Sequence, residues 1–237
     1  MADILLVHGS CHGAWCWRDL IPALTALGHS PRTVDLPGHG DGRPPADVTL
    51  EETCRAVAAE ISADTLVLGH SWAGFPITGA VEYARPRGLI YLCAYVPTHQ
   101  MSLIDMRKAG PRQTIGDAAV KSADGHSYTI RRDRAADLFC HDCPPEALSY
   151  ALDHLCPQPI LPQATPLAVP ASWEALPKAY IRATQDRTIP PEYQASMVAD
   201  WPATDVHAIE TSHSPFFAAP ALLASLIDQI AARMARM

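Results

Sequence analysis

The sequence predicts an α/β protein: a mostly parallel sheet flanked by helices, with an inserted lid. Three observations predict it. Short β-rich apolar runs alternate with longer stretches at helical spacing, as in successive βαβ units. The 237 residues are 48% hydrophobic, enough for one large core. The alternation breaks once, after Tyr95-Val96-Pro97, and resumes near Lys178. One domain spanning 1–237 is therefore expected, with its core in 1–96 and 178–237 and a lid over about 97–177.

The strands are placed at Ile4–Val7, Thr33–Leu36, Thr65–Leu68, Leu89–Cys93, Ala179–Ala183 and Val206–Ile209. Between the first two, Trp17, Leu20, Ile21 and Leu24 share a helical face, and Gly28 is a stop signal. Thr49 and Glu52 form a capping-box pattern ahead of the apolar stripe Leu50, Cys54, Val57, Ala58 and Ile61. Near the end, Leu222, Leu223, Leu226, Ile227 and Ile230 make a further amphipathic helix. The inserted stretch is too long for a bare loop. It is expected to carry a helix from about Glu146 to Leu155 and an extended return through Pro157, Pro159, Pro162, Pro166 and Pro170.

The net charge of −7 is spread along the chain with no long run of Lys or Arg, which argues against nucleic-acid binding. The short, acidic start is unlike a signal peptide, and no apolar run reaches the ~18 residues of a membrane span. A soluble, cytoplasmic protein without a membrane partner is expected. Seven cysteines, an odd number in a chain large enough to fold without crosslinks, read as free thiols.

The strand from Thr65 runs into Gly69-His70-Ser71-Trp72-Ala73-Gly74 and then into a helical stretch. A serine on such a strand-to-helix turn is held in a strained backbone, with small neighbours because the two arms pass closely. The form departs from G-x-S-x-G, since Ala73 replaces the second glycine and Gly74 follows it. Ser71 is the expected nucleophile rather than an N-cap. The first strand ends in His8-Gly9-Ser10-Cys11-His12-Gly13-Ala14-Trp15. A tetrahedral intermediate needs two preorganised donors, and the backbone N–H groups of Ser10 and Trp72 are the natural pair.

An attacking hydroxyl needs a base, and the base needs a fixed tautomer. Asp186 follows the strand Ala179–Ala183 and His213 follows the last strand, so both lie at the carboxyl edge of the sheet, in the order Ser, Asp, His. They are the expected acid and base. Gly9, His12, Trp15 and Phe75, together with Trp72, are candidate pocket residues. Cys140-His141-Asp142-Cys143 has metal-like residue types but lacks a second ligand pair, so it reads as a lid turn. Arg131, Arg132 and Arg134 could attract an acidic substrate, but such a short run is more often a solvated face.

The segments His12-Gly13-Ala14-Trp15-Cys16-Trp17, Asp35-Leu36-Pro37-Gly38-His39-Gly40 and Gly69-His70-Ser71, with those around Asp186 and His213, resemble the plant methylesterase and hydroxynitrile lyase family of α/β-hydrolases. The likeness covers about 4–96 and 178–232, and more loosely the helix after Cys143-Pro144-Pro145-Glu146. It implies an α/β-hydrolase fold and a choice between two chemistries. The family's lyases carry threonine where this chain has Gly9 and lysine where it has Ser214, a cation that stabilises leaving cyanide. The resemblance thus implies a serine carboxylesterase acting on a small, methyl or aromatic ester, with no metal or cofactor, and a possible homodimer. The alternatives are cyanohydrin cleavage and a non-hydrolytic ligand receptor on the same fold. Ser71 excludes the dehalogenase and epoxide hydrolase chemistries, which want an aspartate in the elbow.

Overall fold

The computed structural model describes residues 1–236. In chain order the strands are β1 (Asp3–Val7), β2 (Ser30–Val34), β3 (Thr65–His70), β4 (Gly88–Leu92), then β5 (Ala119–Lys121), β6 (Ser127–Ile130) and β7 (Gln158–Pro159), and finally β8 (Lys178–Ala183) and β9 (Val206–Ile209). The main sheet has six strands in the order β2-β1-β3-β4-β8-β9, and every pairing in it is parallel. The chain starts near the middle, builds to one edge, returns to the centre and finishes at the other edge. All strands therefore point their carboxyl ends at one rim, where ligands bind in open parallel sheets.

Alternate residues of each strand enter opposite layers, as a pleat of period two requires. Ile4 and Leu6 of β1 pack with Trp17, Leu20, Leu24 and Ile227, while Leu5 and Val7 pack with Leu50, Val57 and Ile77 on the other face. The first layer holds α1 (Leu20–Ala26); the second holds α2 (Leu50–Ala59) and α3 (Gly74–Ala80). In α2 the Thr49 hydroxyl accepts from Glu52 N at 3.2 Å and Glu52 Oε2 accepts from Thr49 N at 3.1 Å, so both bonds of the expected capping box form.

β2 lies earlier than the expected Thr33–Leu36. Its ladder stops at Val34 because Asp35 turns to accept from Ala14 N at 2.6 Å and Leu36 N donates to His8 Nε2 at 3.0 Å. Pro31 is tolerated because β2 is an edge strand. Trp17 belongs to a short 3-10 turn, Ala14–Trp17, ahead of α1.

The stretch between β4 and β8 is more structured than the sequence suggested. It contains α4 (Leu103–Ala109), α5 (Arg132–Phe139), α6 (Pro145–His154) and α7 (Leu161–Ala164), and an antiparallel sheet β5-β6-β7. The expected helix at 146–155 is α6, displaced by one residue. The expected extended return instead begins with β7 and α7, because Gln158 and Gln163 are drawn into buried hydrogen bonds with the core. After it come α8 (Pro191–Met197), α9 (Pro215–Ala218) and α10 (Pro220–Met234), the last being the amphipathic C-terminal helix.

Among the described residues, no helix is long and apolar enough to cross a membrane. All seven cysteines are free.

Candidate active site

Ser71 leaves β3 with φ of 56°, the left-handed conformation an L-residue adopts only under constraint. The constraint is the close passage of the turn beneath β4. A Cβ placed on Gly74 would lie 1.8 Å from Tyr95 O, and Tyr95 N donates to Ser71 O at 3.1 Å. The glycine this elbow cannot replace is thus Gly74, and the departure at Ala73 is harmless because its methyl is buried in the layer beneath the sheet. Gly9 has an analogous constraint: a Cβ there would sit 2.6 Å from His70 Nδ1 and 3.0 Å from Ser71 Cβ.

The structure brings Ser71, His213 and Asp186 into one hydrogen-bonded chain. Ser71 Oγ lies 2.9 Å from His213 Nε2, and His213 Nδ1 lies 2.6 Å from Asp186 Oδ2. With Nδ1–H donating to the carboxylate, Nε2 is free to accept the serine proton. Asp186 Oδ1 accepts from the N–H groups of Thr188 (2.7 Å) and Ile189 (2.9 Å), and Oδ2 accepts from Gln194 Nε2 (2.8 Å). With these donors the buried carboxylate is held in one orientation. All three residues are buried, Ser71 being 6% exposed at the floor of a pocket.

Two further groups hold the His213 backbone. His70 Nε2–H donates to His213 O at 2.8 Å, and the Cys93 thiol approaches the same carbonyl at 3.6 Å. His70, Cys93 and His213 offer nitrogen and sulfur atoms within 4.8 Å of one another, a geometry that could suit a metal. His70 Nε2 and the Cys93 thiol instead face the His213 carbonyl, and both His213 ring nitrogens are engaged by Ser71 and Asp186. His70 and His12 are kept neutral by burial, with His12 lowered to about 4.

Ser10 and Trp72 face the same pocket, as does His12. The loop that carries Ser10 is strained at Cys11, with φ of 61°. It is clamped by the insertion. Gln158 Oε1 accepts from Cys11 N at 3.3 Å, Cys156 N donates to Cys11 O at 3.0 Å, and Gln163 Nε2 donates to Ser10 Oγ at 2.7 Å. Tyr128 OH in turn donates to Gln163 Oε1 at 3.0 Å. Gln158 and Gln163 did not stand out in the sequence, because the loop residues they hold, Cys11 and Ser10, are more than a hundred residues away.

The pocket is a narrow, mainly apolar cleft above Ser71. The insertion supplies much of its apolar wall, with Leu103, Ile115, Tyr128, Ile130 and Phe139, together with Arg107. Trp15 and Phe75 stand elsewhere. Trp15 stacks on His12 from outside and meets Tyr150 and His154, while Phe75 is fully buried beside Trp72 on the helix side of the elbow. Gly9 lies behind Ser71 rather than in the wall. The turn at Cys140–Cys143 positions the base loop: Asp142 Oδ2 accepts from Ser212 N at 2.8 Å. Arg131, Arg132 and Arg134 pair with Asp133, Asp153 and Asp117 on the surface, away from the pocket.

Known proteins match the whole chain. A pyrethroid hydrolase of Sphingobium wenxiniae is 28% identical over 98% of this chain and 88% of its own. Methylesterase 1 of Arabidopsis thaliana is 27% identical over 96% of this chain and 95% of its own, in keeping with the likeness to plant methylesterases. The crystal structure of a pyrethroid hydrolase from Sphingobium faniae superposes with a TM-score of 0.87 at 27% identity, covering 100% of this chain and 99% of that one. The model of the alpha/beta hydrolase family matches residues 4–226, and the chain belongs to that family.

Proposed function

We propose that this enzyme is a serine carboxylesterase that hydrolyses small carboxylic esters, methyl or aromatic ones included, through an acyl-enzyme on Ser71. The observation that carries the reading is the hydrogen-bonded chain Ser71–His213–Asp186 at the floor of a mainly apolar pocket. Relatives named as a pyrethroid hydrolase and a methylesterase support ester hydrolysis as the reaction class.

His213 Nε2 takes the Ser71 proton as Oγ attacks the ester carbonyl, and the imidazolium that forms is stabilised by Asp186. The carbonyl oxygen becomes an oxyanion that receives the Ser10 and Trp72 N–H groups. His213 returns the proton to the departing alcohol. Water then attacks the acyl carbon by the same proton path and releases the acid, restoring Ser71. Each step uses protein groups and water alone. Cyanohydrin cleavage is disfavoured by Ser214, whose buried hydroxyl meets the Cys140 thiol at 3.5 Å and offers no charge to a leaving cyanide.

The test is acid-quenched mass spectrometry after mixing with p-nitrophenyl acetate. One acetyl group on the peptide containing Ser71, absent in Ser71→Ala, is expected; an acetyl group elsewhere, equally present in the variant, would contradict the assignment. The free thiols also support a reducing, cytoplasmic compartment. Cell fractionation that recovers the protein outside the cytoplasm would overturn that placement.

A further inference from the structure

Hydrolysis of a neutral ester makes no use of Arg107. This residue lies on α4, one helical turn after Leu103, and both side chains line the pocket above Ser71. The helix that carries it is fixed at both ends. Ser102 and Asp105 form a capping box at its start, and Tyr193 OH donates to Met106 O at 2.8 Å near its end.

The Arg107 side chain is partly buried, yet among the described residues it has neither a carboxylate partner nor a hydrogen-bond acceptor. Other arginines of the insertion behave differently: Arg112 pairs with Glu192, and Arg131, Arg132 and Arg134 with Asp133, Asp153 and Asp117. Arg107 lines both the apolar pocket and an adjoining polar cleft bordered by Thr114, Thr188 and Tyr193. Its charge reaches the pocket's buried groups, opposing the upward push that burial gives the Tyr95 and Tyr128 hydroxyls. A partly desolvated cation is most stable with an anion, and a guanidinium matches a carboxylate with two parallel bonds.

We propose that Arg107 receives a carboxylate carried by the substrate, so that the preferred esters are anionic half-esters, with the ester carbonyl at Ser71 and the free carboxylate at the guanidinium. This rests on Ser71 being the nucleophile. A neutral diester of the same length fills the pocket but leaves the cation unpaired.

The experiment measures kcat and KM for the monomethyl esters of succinate, glutarate and adipate, each beside its dimethyl ester, with wild type, Arg107→Lys and Arg107→Met. p-Nitrophenyl acetate serves as the reference for basic esterase activity. In wild type at least one half-ester should exceed its diester in kcat/KM. That ratio should fall about tenfold or more in Arg107→Met, mainly through KM, and be partly kept in Arg107→Lys. Sodium chloride added to wild type should raise KM for the half-ester and leave the diester's nearly constant, a readout that needs no variant. Wild type that hydrolyses p-nitrophenyl acetate but shows no half-ester preference, or a preference untouched by salt, overturns the role of Arg107 while the Ser71 reading stands. Wild type that hydrolyses none of these esters overturns both.

Discussion

At the scale of single residues, the site depends on two places where a side chain cannot fit. Gly74→Ala puts a methyl 1.8 Å from Tyr95 O, on backbone that cannot swing aside, and Tyr95 N is bonded to Ser71 O. We expect a loss of about 3 kcal/mol in a urea titration, together with most of the esterase rate, whereas an unchanged midpoint would show the turn to be looser than described. Gly9→Thr forces a branched side chain into His70 Nδ1 and Ser71 Cβ. Esterase activity should drop, and cyanohydrin cleavage should not appear, because Ser214 remains; cyanide release from mandelonitrile by this variant would refute that.

At the scale of elements, legibility in the sequence followed how local the determining contacts are. α2 could be read because its capping box lies within four residues, and both bonds form. Thr49→Ala should therefore cost about 1 kcal/mol of stability, seen as a lower melting temperature. β2 was misplaced because its end is set by Asp35 and Leu36 bonding to the first loop, contacts no strand pattern reveals. Within the insertion, α4 and the hairpin β5-β6 did carry local signals that could have found them. Ser102 and Asp105 have capping-box spacing, and Asp124-Gly125 is a hairpin turn with Gly125 at φ of 76°. The clamp formed by Gln158 and Gln163 had no such signal. Removing part of it by Gln163→Ala frees Ser10 and Tyr128. On the proposed role of the Ser10 N–H as an oxyanion donor, the expected result is a lower kcat with a smaller change in KM, since that charge develops only in the transition state. A variant that raises KM alone would assign Gln163 to substrate binding.

At the scale of the whole molecule, the sheet gathers residues 8–12, 71, 186 and 213 at one rim, and the insertion covers that rim and furnishes the pocket wall. Ser71, Asp186 and His213 were legible because their order and their positions after strands are fixed by the core. The wall was not, because aromatic residues near the elbow serve the core equally well, as Phe75 does. Enclosure also sets the response to acid. His8, His12, His39 and His70 are all depressed by burial, His12 from 6.5 to about 4. Below pH 6.5 the unfolded chain takes up protons that the folded chain does not, so stability falls as pH drops from about 6.5 towards 4. His12 alone contributes on the order of 3 kcal/mol to that fall. A melting temperature that stays flat from pH 7 to 5 would contradict the neutral, buried state of these rings. Ser71 as the nucleophile is tested by the initial rate of p-nitrophenyl ester and aromatic methyl ester hydrolysis by wild type and Ser71→Ala. Turnover by wild type and a collapse of several orders of magnitude in the variant are expected, because the members of such a triad fail as a unit; comparable rates in the two proteins would rule out Ser71 as the nucleophile.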